Sequence, residues 1–355
     1  MTSAQRQLVK RLLVRAGLWY DVSAHARAVA ELAGPADLLA IDVGGANDLQ
    51  PHWHRLKQCT DFMVFEPHDG SYQALVRRAE NDESYRRFTY LPIALAEQSG
   101  EGTLHVTNVP TGSGIVPLRP DSLINYPENS YLYPMQRVAI QTRSLASVLD
   151  EHQVPRVHAI KLDVQGGEIP ILRGLDSTRR RSLLAVELEC PAIDVYEGGS
   201  TVPEALSLMR ESGLEWFGVL TARMPGTILR DGPDEIERFF GCPPDSPSVA
   251  QRIWEFDLVF FREPRHLMAS NPDALEVRRL SALLAAYGFL GEALWLIRQA
   301  SKLGVLDAAA TSSMLDALRV CQKSGAREVR GFERQLRRRG WTNWAHWMYV
   351  RWPAS

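Results

Sequence analysis

The 355-residue sequence has little cysteine, no excess of charge of either sign and no long apolar run. Its four cysteines are scattered without a CxxC pair, a pattern that disfavours a zinc site or a disulfide framework and indicates a reducing, cytoplasmic location. The net charge of −2 provides no field that would attract nucleic acid, so we expect no nucleic-acid partner. No stretch of about 18 uncharged apolar residues is present and the N-terminus lacks an apolar signal core, so neither a membrane span nor a leader is expected.

Several catalytic motifs are also missing. The sequence contains no P-loop, no G-x-S-x-G and no H-E-x-x-H. His52 and His54 of the "HWH" stretch do not share a helix face at that spacing, and we expect no metal site. The nicotinamide fingerprint G-x-G-x-x-G is absent as well, which disfavours the alternative of a nicotinamide oxidoreductase.

What the sequence does contain is an alternation of short apolar runs and helix-like stretches. The runs have the length of buried strands and lie at 38–45, 62–67, 88–95, 159–164, 182–189 and 256–261, with a further strand at 102–108. Helical patterns lie between several of them, at 70–80, 144–152, 168–175 and 202–212. The alternation predicts an α/β fold with a parallel, Rossmann-like sheet that is covered by helices on both faces.

The two ends of the chain have helical patterns instead. We therefore predict an N-terminal helical segment (1–34), a central α/β domain (35–264) and a C-terminal helical domain (265–355), interpreted as a small appendage. The tail combines a run of arginines at 337–339 with several tryptophans between 341 and 352. Such a segment can contact a membrane surface, but packing on the body of the protein or on a second subunit of a homodimer is the simpler interpretation.

Acidic and small residues follow the first two predicted strands, at the edge where open α/β sheets bind ligands. Asp42, Gly44 and Gly45 belong to "IDVGGAND", whose acids suit a cationic ligand better than a pyrophosphate. Glu66 of "VFEP" lies about 24 residues beyond Asp42, where a Rossmann-like sheet places the acid that accepts hydrogen bonds from ribose hydroxyls. Pro67 then fixes the backbone direction after that acid.

Three further acids follow later strands and are our candidate catalytic residues. Asp163 ends the run "AIKLD" and is expected at the same edge as the first two acids. Glu168 begins the next helix, where its charge suits the positive helix N-terminus. Glu189 ends the strand after that helix. The alternative is that Asp163 only contacts a cofactor and that Glu168 only caps its helix.

Residues 109–137 differ in composition from both neighbouring segments, because they are rich in proline, glycine, serine, asparagine and tyrosine. Long loops of this kind in compact domains are often binding loops or lids. We take four of their residues as candidate substrate-binding residues: Ser113, Tyr126, Tyr131 and Tyr133. The tyrosines can stack on a sugar; alternatively, the segment is a surface insertion whose tyrosines pack on the domain.

The order of these motifs resembles the FkbM family of S-adenosylmethionine-dependent methyltransferases. The matching segments are "IDVGGAND", "VFEP", "IALAEQSGEGTL", "VAIQTRSLASVLD", "IKLDVQGGEIPILRG" and "LAVELE". The most specific is "KLDVQGGEIPILRG", which is similar to the family pattern K-I-D-x-x-G-x-E-x-x-x-L-x-G. The first loop has one glycine more than the usual D-x-G-A-N-x-G. The resemblance covers roughly residues 38–262.

The resemblance implies a class I methyltransferase sheet and S-adenosylmethionine as cofactor. It implies that the methionine part lies among Asp42, Gly44, Gly45 and Asn47, that Glu66 and Pro67 flank the ribose, that Ile93 and Ala94 flank the adenine, and that Asp163 borders the cofactor. A pocket edged with carboxylates also suits the positive sulfonium.

The resemblance further implies O-methyl transfer to a hydroxyl of a sugar, a glycan or a glycosylated natural product, with the C-terminal helices as candidates for docking a larger glycan carrier. Asp163 is our first choice for the general base or for orienting the acceptor. Two alternatives stay open from the sequence: a catalytically silent cofactor-binding or scaffold protein in polysaccharide assembly, and an N-methyltransferase.

Overall fold

A computed structural model describes residues 22–45, 49–50, 52–79, 86–121, 132–223, 238–239, 241 and 253–338. The described strands are β1 (Leu38–Val43), β2 (Thr60–Phe65), β3 (Arg87–Leu91), β4 (Ala94–Ala96), β5 (Gly100–Thr107), β6 (Pro134–Ser144), β7 (Ala159–Leu162), β8 (Ala185–Pro191), β9 (Leu214–Arg223) and β10 (Glu255–Arg262).

The described helices are α1 (Val22–Ala33), α2 (Asp69–Ala79), α3 (Leu145–Glu151), α4 (Glu168–Arg173), α5 (Ser177–Ser182), α6 (Val202–Glu211), α7 (Pro264–Ala269), α8 (Ala274–Tyr287), α9 (Leu290–Lys302) and α10 (Ala308–Arg338). Short 3₁₀ turns lie at Trp53–Leu56 and Pro110–Gly112. No helix among the described residues combines the length and the apolar character needed to cross a bilayer. The tryptophan-rich tail falls outside these ranges.

Seven strands form the main sheet, in the order β3-β2-β1-β7-β8-β10-β9. The first five are parallel, and β10 runs antiparallel to both of its neighbours. The strand order reverses direction between β1 and β7, and open α/β sheets bind ligands in the crevice at such a reversal, beyond the carboxyl ends of the strands. The predicted Rossmann-like class I methyltransferase sheet with flanking helices is therefore confirmed.

Each face of the main sheet is covered by its own layer of helices. On one face, α3, α4 and α6 bury apolar residues against alternate side chains of β1, β7 and β8. On the other face, α1 and α8 to α10 share a single apolar cluster with the strands, in which Leu283 and Val277 lie with Phe62 and Phe261. The C-terminal helices are thus present as predicted, and they also form one of the two layers that close the sheet.

Two strand predictions were wrong in detail. The run 88–95 is two strands, because the chain leaves the main sheet after β3 and enters a second sheet, of order β4-β6-β5, at Ala94. The predicted loop 109–137 ends earlier than expected, because β6 begins at Pro134 and pairs antiparallel with β5. The strands β6 and β9 were not predicted. Predicted strands at 38–45, 159–164 and 256–261 correspond to β1, β7 and β10.

Candidate active site

The turn after β1 is closed by a glycine that no other residue can replace without a backbone shift. Gly44 has a φ of +84°, and a Cβ on it would lie 1.9 Å from the carbonyl oxygen of Asp163. The Gly44 N–H donates to the carbonyl of Phe65 at 3.0 Å. This close approach brings the ends of β1, β2 and β7 together. Asn47, in the same predicted loop, lies outside the described residues.

A pocket opens where these strand ends meet, and the segment 110–115 after β5 forms its opposite wall. It is lined by seven of the residues predicted to bind cofactor or substrate: Gly44, Glu66, Pro67, Ile93, Ala94, Ser113 and Asp163. Asp42 and Gly45, also predicted to bind the cofactor, are not among its lining residues. The structure therefore brings most of the predicted set to one place, and their contacts with a ligand stay a prediction.

Glu66 is the buried acid of this pocket. Its Oε1 accepts a hydrogen bond from the backbone N–H of His68 at 2.8 Å, and no other donor to it lies among the described residues. Burial raises the pKa of Glu66, the His68 N–H opposes that shift and the charge of Asp42 adds to it. The carboxylate retains acceptor capacity on the pocket side, as an acid that binds a vicinal diol requires.

A row of charged side chains lies behind the pocket, and its central member was missed by the sequence analysis. Asp42, Lys161 and Glu187 are register partners on β1, β7 and β8, so their side chains share one face of the sheet. Lys161 Nζ lies 3.4 Å from Asp42 Oδ1 and 3.4 Å from Asp163 Oδ2. The strand-end acids therefore already have a cation among them, supplied by the chain itself.

The electrostatics of this row follow from its burial. Burial opposes the charge on Lys161, but the carboxylates of Asp42 and then Asp163 outweigh burial and raise the pKa of Lys161 above its ordinary value. The side chains of Asp42 and Lys161 are 1% and 6% exposed, whereas that of Asp163 is 28% exposed. Asp163 is therefore the member of this cluster that a ligand can reach.

Glu187 connects the same row to the C-terminal helices. Its Oε2 accepts hydrogen bonds from the ring of His52 at 2.8 Å, the Tyr287 hydroxyl at 2.9 Å and the Trp53 indole at 3.2 Å. Burial favours a higher pKa, but His52 and Lys161, with the Tyr287 hydroxyl, outweigh it and lower the pKa of Glu187. Since Tyr287 ends α8, this helix is tied to the centre of the sheet by a buried polar contact.

Gln165 holds two of the predicted catalytic acids and was also missed. Its amide nitrogen lies 2.9 Å from Glu189 Oε2 and 3.4 Å from Asp163 Oδ1. The Tyr196 hydroxyl donates to the Gln165 amide oxygen at 2.6 Å, which fixes the direction of the amide. Gln165 has a φ of +61°, a conformation uncommon for residues other than glycine. Gln165 thus connects the loop after β7, which carries Asp163, to Glu189 on β8.

Glu168 occupies a position that does not fit its predicted catalytic role. It is 0% exposed, and its Oε1 accepts hydrogen bonds from the backbone N–H groups of Val164 at 3.0 Å and Gly166 at 3.1 Å. Among the described residues, no partner contacts its buried Oε2. Burial raises the pKa of Glu168 to about 7, against the opposing backbone N–H groups. Glu168 therefore shapes the loop that carries Asp163.

The predicted substrate-binding residues are dispersed. Ser113 lies at the pocket, where its hydroxyl oxygen accepts a hydrogen bond from the Thr107 N–H at 3.1 Å. Tyr133 is 59% exposed and does not line the pocket. Tyr126 and Tyr131 lie outside the described residues. Within the described ranges, no three histidine, cysteine or acidic side chains are grouped so as to hold a metal ion.

Comparison with known protein families identifies this arrangement. The profile of the methyltransferase FkbM domain matches residues 37–215, half of the chain. The chain belongs to the FkbM methyltransferase family. The match begins just before β1 and ends at the start of β9, so it contains every lining residue of the pocket. No curated protein matches the chain.

The solved structures that match this FkbM-family chain are only weakly similar to it. A precorrin-6Y C5,15-methyltransferase from Geobacter metallireducens has 13% identity, covers 67% of this chain and 86% of its own, and gives a TM-score of 0.29. A putative tRNA (m1A22) methyltransferase from Streptococcus pneumoniae has 11% identity. The match covers 84% of this chain and 97% of the other, with a TM-score of 0.28. With TM-scores this low, these similarities bear on neither the substrate nor the site.

The cofactor of the FkbM family is S-adenosylmethionine, and the residues of this pocket fit it. The ribose hydroxyls need an acceptor, which the buried carboxylate of Glu66 provides. The adenine needs a slot with small or apolar walls, which Ile93, Ala94 and Leu104 provide. Gly44 allows the turn after β1 to approach the backbone of Asp163 closely, and it lines the pocket without a side chain.

The buried carboxyl of Glu168 predicts a pH dependence of stability. Its pKa in the folded chain is about 7 and its ordinary value is 4.5, so its contribution to stability is complete below the ordinary value and is lost as pH rises through 7. We measure the free energy of unfolding in urea at acidic and at mildly alkaline pH. Over this range we expect the free energy of unfolding of wild type to fall by up to about 3 kcal/mol more than that of Glu168→Gln. The exposed substitution Glu197→Gln is the control; equal slopes for wild type and Glu168→Gln would contradict the prediction.

Proposed function

We propose that this FkbM-family methyltransferase transfers methyl groups to a hydroxyl of a sugar, a glycan or a glycosylated natural product. The observation that carries the proposal is the position of Asp163, whose partly exposed carboxylate lines the pocket that contains Glu66. Asp42 and Glu187, in contrast, are buried and bonded within the chain. One carboxylate is thus available in the pocket to accept a proton from an acceptor hydroxyl.

When bound, S-adenosylmethionine supplies a methyl group on a positive sulfur that is already reactive. The contribution of the chain is then mainly alignment: Glu66 would hold the ribose, and Ile93 and Ala94 would flank the adenine. Fixing two reactants in line can lower the activation barrier by about 7–11 kcal/mol. Segment 110–115, on the other side of the pocket, is our candidate for the wall that orients the acceptor.

Asp163 would accept the hydroxyl proton as the methyl group is transferred. Lys161 lies 3.4 Å from Asp163 Oδ2 and Gln165 lies 3.4 Å from Oδ1, so both oxygens have a partner that fixes their direction. The positive charge of Lys161 favours the ionised carboxylate that a base has to be. A general base typically contributes about 10²–10⁴-fold to the rate. The sugar class of the acceptor is supported by the family resemblance.

The test is methyl transfer from isotope-labelled S-adenosylmethionine to a matched panel of hydroxyl and amine acceptors, including free sugars and glycans. We expect label on hydroxyl-bearing sugars. In parallel, Glu66→Gln should weaken S-adenosylmethionine binding by about tenfold or more in calorimetry, since hydrogen bonds to charged groups contribute about 1.5–3 kcal/mol. Glu101→Gln, on the exposed side of β5, is the matched control.

Each arm of this test distinguishes an alternative. Absence of S-adenosylmethionine binding at millimolar concentration would favour a silent scaffold protein. Label on amines alone would favour N-methyl transfer. Unchanged cofactor affinity in Glu66→Gln would contradict the assignment of this pocket as the S-adenosylmethionine site. The acceptor class would still be decided by the transfer assay.

A further inference from the structure

A second cavity lies at the opposite edge of the main sheet. Its volume is about 400 Å³, within the range of about 300–1,000 Å³ that small-molecule sites occupy. Its walls come from the residues just before β7 and β8, from the end of β10, and from α7 and α8. Because β10 is antiparallel, its end lies beside the beginnings of β7 and β8. The cavity is therefore separated from the methyltransferase pocket by the length of the strands.

The walls of this cavity carry a concentration of positive charge. Four arginines line it, Arg156, Arg181, Arg262 and Arg279, against a single acid, Glu276. Glu276 Oε2 already accepts a hydrogen bond from the backbone N–H of Asp273 in the capping box of α8. None of the four arginines forms an ion pair with any of the described residues. Because the chain as a whole has a net charge of −2, this concentration of cations is a local feature.

Two of the four guanidinium groups are held in place by backbone carbonyls. Arg262 Nη2 donates to the carbonyls of Arg181 at 2.8 Å and Leu183 at 3.0 Å. Arg279 Nε donates to the carbonyl of Asp37 at 2.8 Å. Carbonyls orient a guanidinium without neutralising it. Burial lowers the pKa of Arg262, against the opposing charge of Glu276, so this cation lies in a position that solvates it poorly.

A neutral histidine completes the wall as a further donor. The Leu39 N–H donates to His158 Nδ1 at 3.0 Å, which leaves the ring hydrogen on Nε2. Burial, followed by the charges of Arg279 and Arg156, lowers the pKa of His158 to about 4. The ring is therefore neutral at physiological pH and keeps a hydrogen to donate. The cavity wall thus combines four cations and a neutral donor with a single acid.

We propose that this cavity binds the phosphoryl group of a soluble anion, in the class of a diphosphate or a phosphorylated small molecule. The planar guanidinium matches two phosphate oxygens at once, and several arginines around one site bind a multiply charged phosphate better than a monovalent anion. Nucleic acid is disfavoured, because a polynucleotide needs a basic stripe along the surface, whereas these arginines surround a single cavity.

The experiment is a calorimetric titration of the full chain with pyrophosphate at constant ionic strength. We expect saturable binding in wild type. The double variant Arg156→Gln/Arg181→Gln removes two exposed guanidinium groups that make no structural hydrogen bond among the described residues, and it should weaken binding about tenfold or more. The double variant Arg210→Gln/Arg298→Gln changes the net charge equally at exposed positions elsewhere and should bind as wild type does. S-adenosylmethionine affinity should be equal in all three.

Four results would overturn the proposal. The first is the absence of saturable binding heat at millimolar pyrophosphate, and the second is equal weakening of pyrophosphate binding in both double variants. The third is that sodium chloride of the same ionic strength gives the same binding heat as pyrophosphate. The fourth is that a single-stranded oligonucleotide binds and pyrophosphate does not. Arg279→Gln, which lacks the cavity's fourth cation, provides an independent second variant. It should weaken pyrophosphate binding with unchanged S-adenosylmethionine affinity.

Discussion

Replacing Lys161 with methionine is expected to destabilise the fold by about 3–5 kcal/mol, the usual cost of removing one partner from a buried ion pair. Asp42 is 1% exposed and lies 3.4 Å from Lys161 Nζ, so the substitution leaves its carboxylate buried without that cation. Burial alone raises the pKa of Asp42, so the variant can relieve the cost by taking up a proton. The loss of unfolding free energy in Lys161→Met, measured by urea unfolding, should therefore be larger at pH 8 than at pH 5.

Companion variants separate charge from packing. Asp42→Asn should cost less than Lys161→Met, because Lys161 keeps Asp163 as a partner. In the double variant Lys161→Met/Asp42→Asn, part of the loss should be recovered, since no buried charge is left unpaired; the double-mutant cycle gives the coupling energy. Lys323→Met, on the exposed side of α10, controls for the loss of one positive charge. A Lys161→Met variant as stable as Lys323→Met would show that the ion pair contributes nothing.

The architecture around this ion pair could be predicted because it depends on local pattern. Buried parallel strands are short apolar runs, and their carboxyl ends meet at one edge whatever the order of the strands. The acids at the ends of β1, β2 and β7 were therefore expected together; Glu66 and Asp163 do line one pocket, whereas Asp42 is buried and does not. Predicting a strand end is enough to predict which edge its next residue occupies.

One of the two strands that escaped prediction, β6, lacks a continuous apolar run. β6 belongs to the small second sheet, and most of its residues are exposed or half-buried, so its sequence "PMQRVAIQTRS" has no continuous apolar stretch. It also begins at a proline, which normally signals a turn. Part of it was therefore interpreted as the end of a loop. Both faces of β6 are partly solvated, so this strand is stabilised mainly by its pairing with β5. Such pairing joins residues that are far apart in the sequence, and a local pattern does not indicate it.

Side-chain partners were the least predictable feature, because they depend on register. Lys161 neighbours Asp42 only because β1 and β7 pair with those two residues opposite each other. A local signal did exist: a lysine inside the apolar run "AIKLD" requires a carboxylate partner if the run is a core strand. Tyr287 gave no such signal. Its contact with Glu187 spans 100 residues and depends on where α8 packs.

Asp163→Asn is expected to lower turnover by about 10²–10⁴-fold on the acceptor found by the transfer assay, since the amide keeps the shape of the side chain and cannot accept the hydroxyl proton. Asp163 is partly exposed at the pocket, and its two oxygens contact Lys161 and Gln165. The amide oxygen can still accept from one of these donors, so the loop should keep its shape. Single-turnover kinetics under saturating acceptor would measure the chemical step itself.

The expected pattern is a loss in kcat with S-adenosylmethionine affinity and melting temperature close to those of wild type, because the proton acceptor acts in the transition state and not in cofactor binding. Asp194→Asn, an exposed acid in the loop after β8, is the matched control and should keep full turnover. Raised KM with unchanged kcat would make Asp163 an acceptor-binding residue. Full turnover in Asp163→Asn would exclude it as the base and would leave His68, the half-buried imidazole in the lining of the same pocket, as the next residue to test.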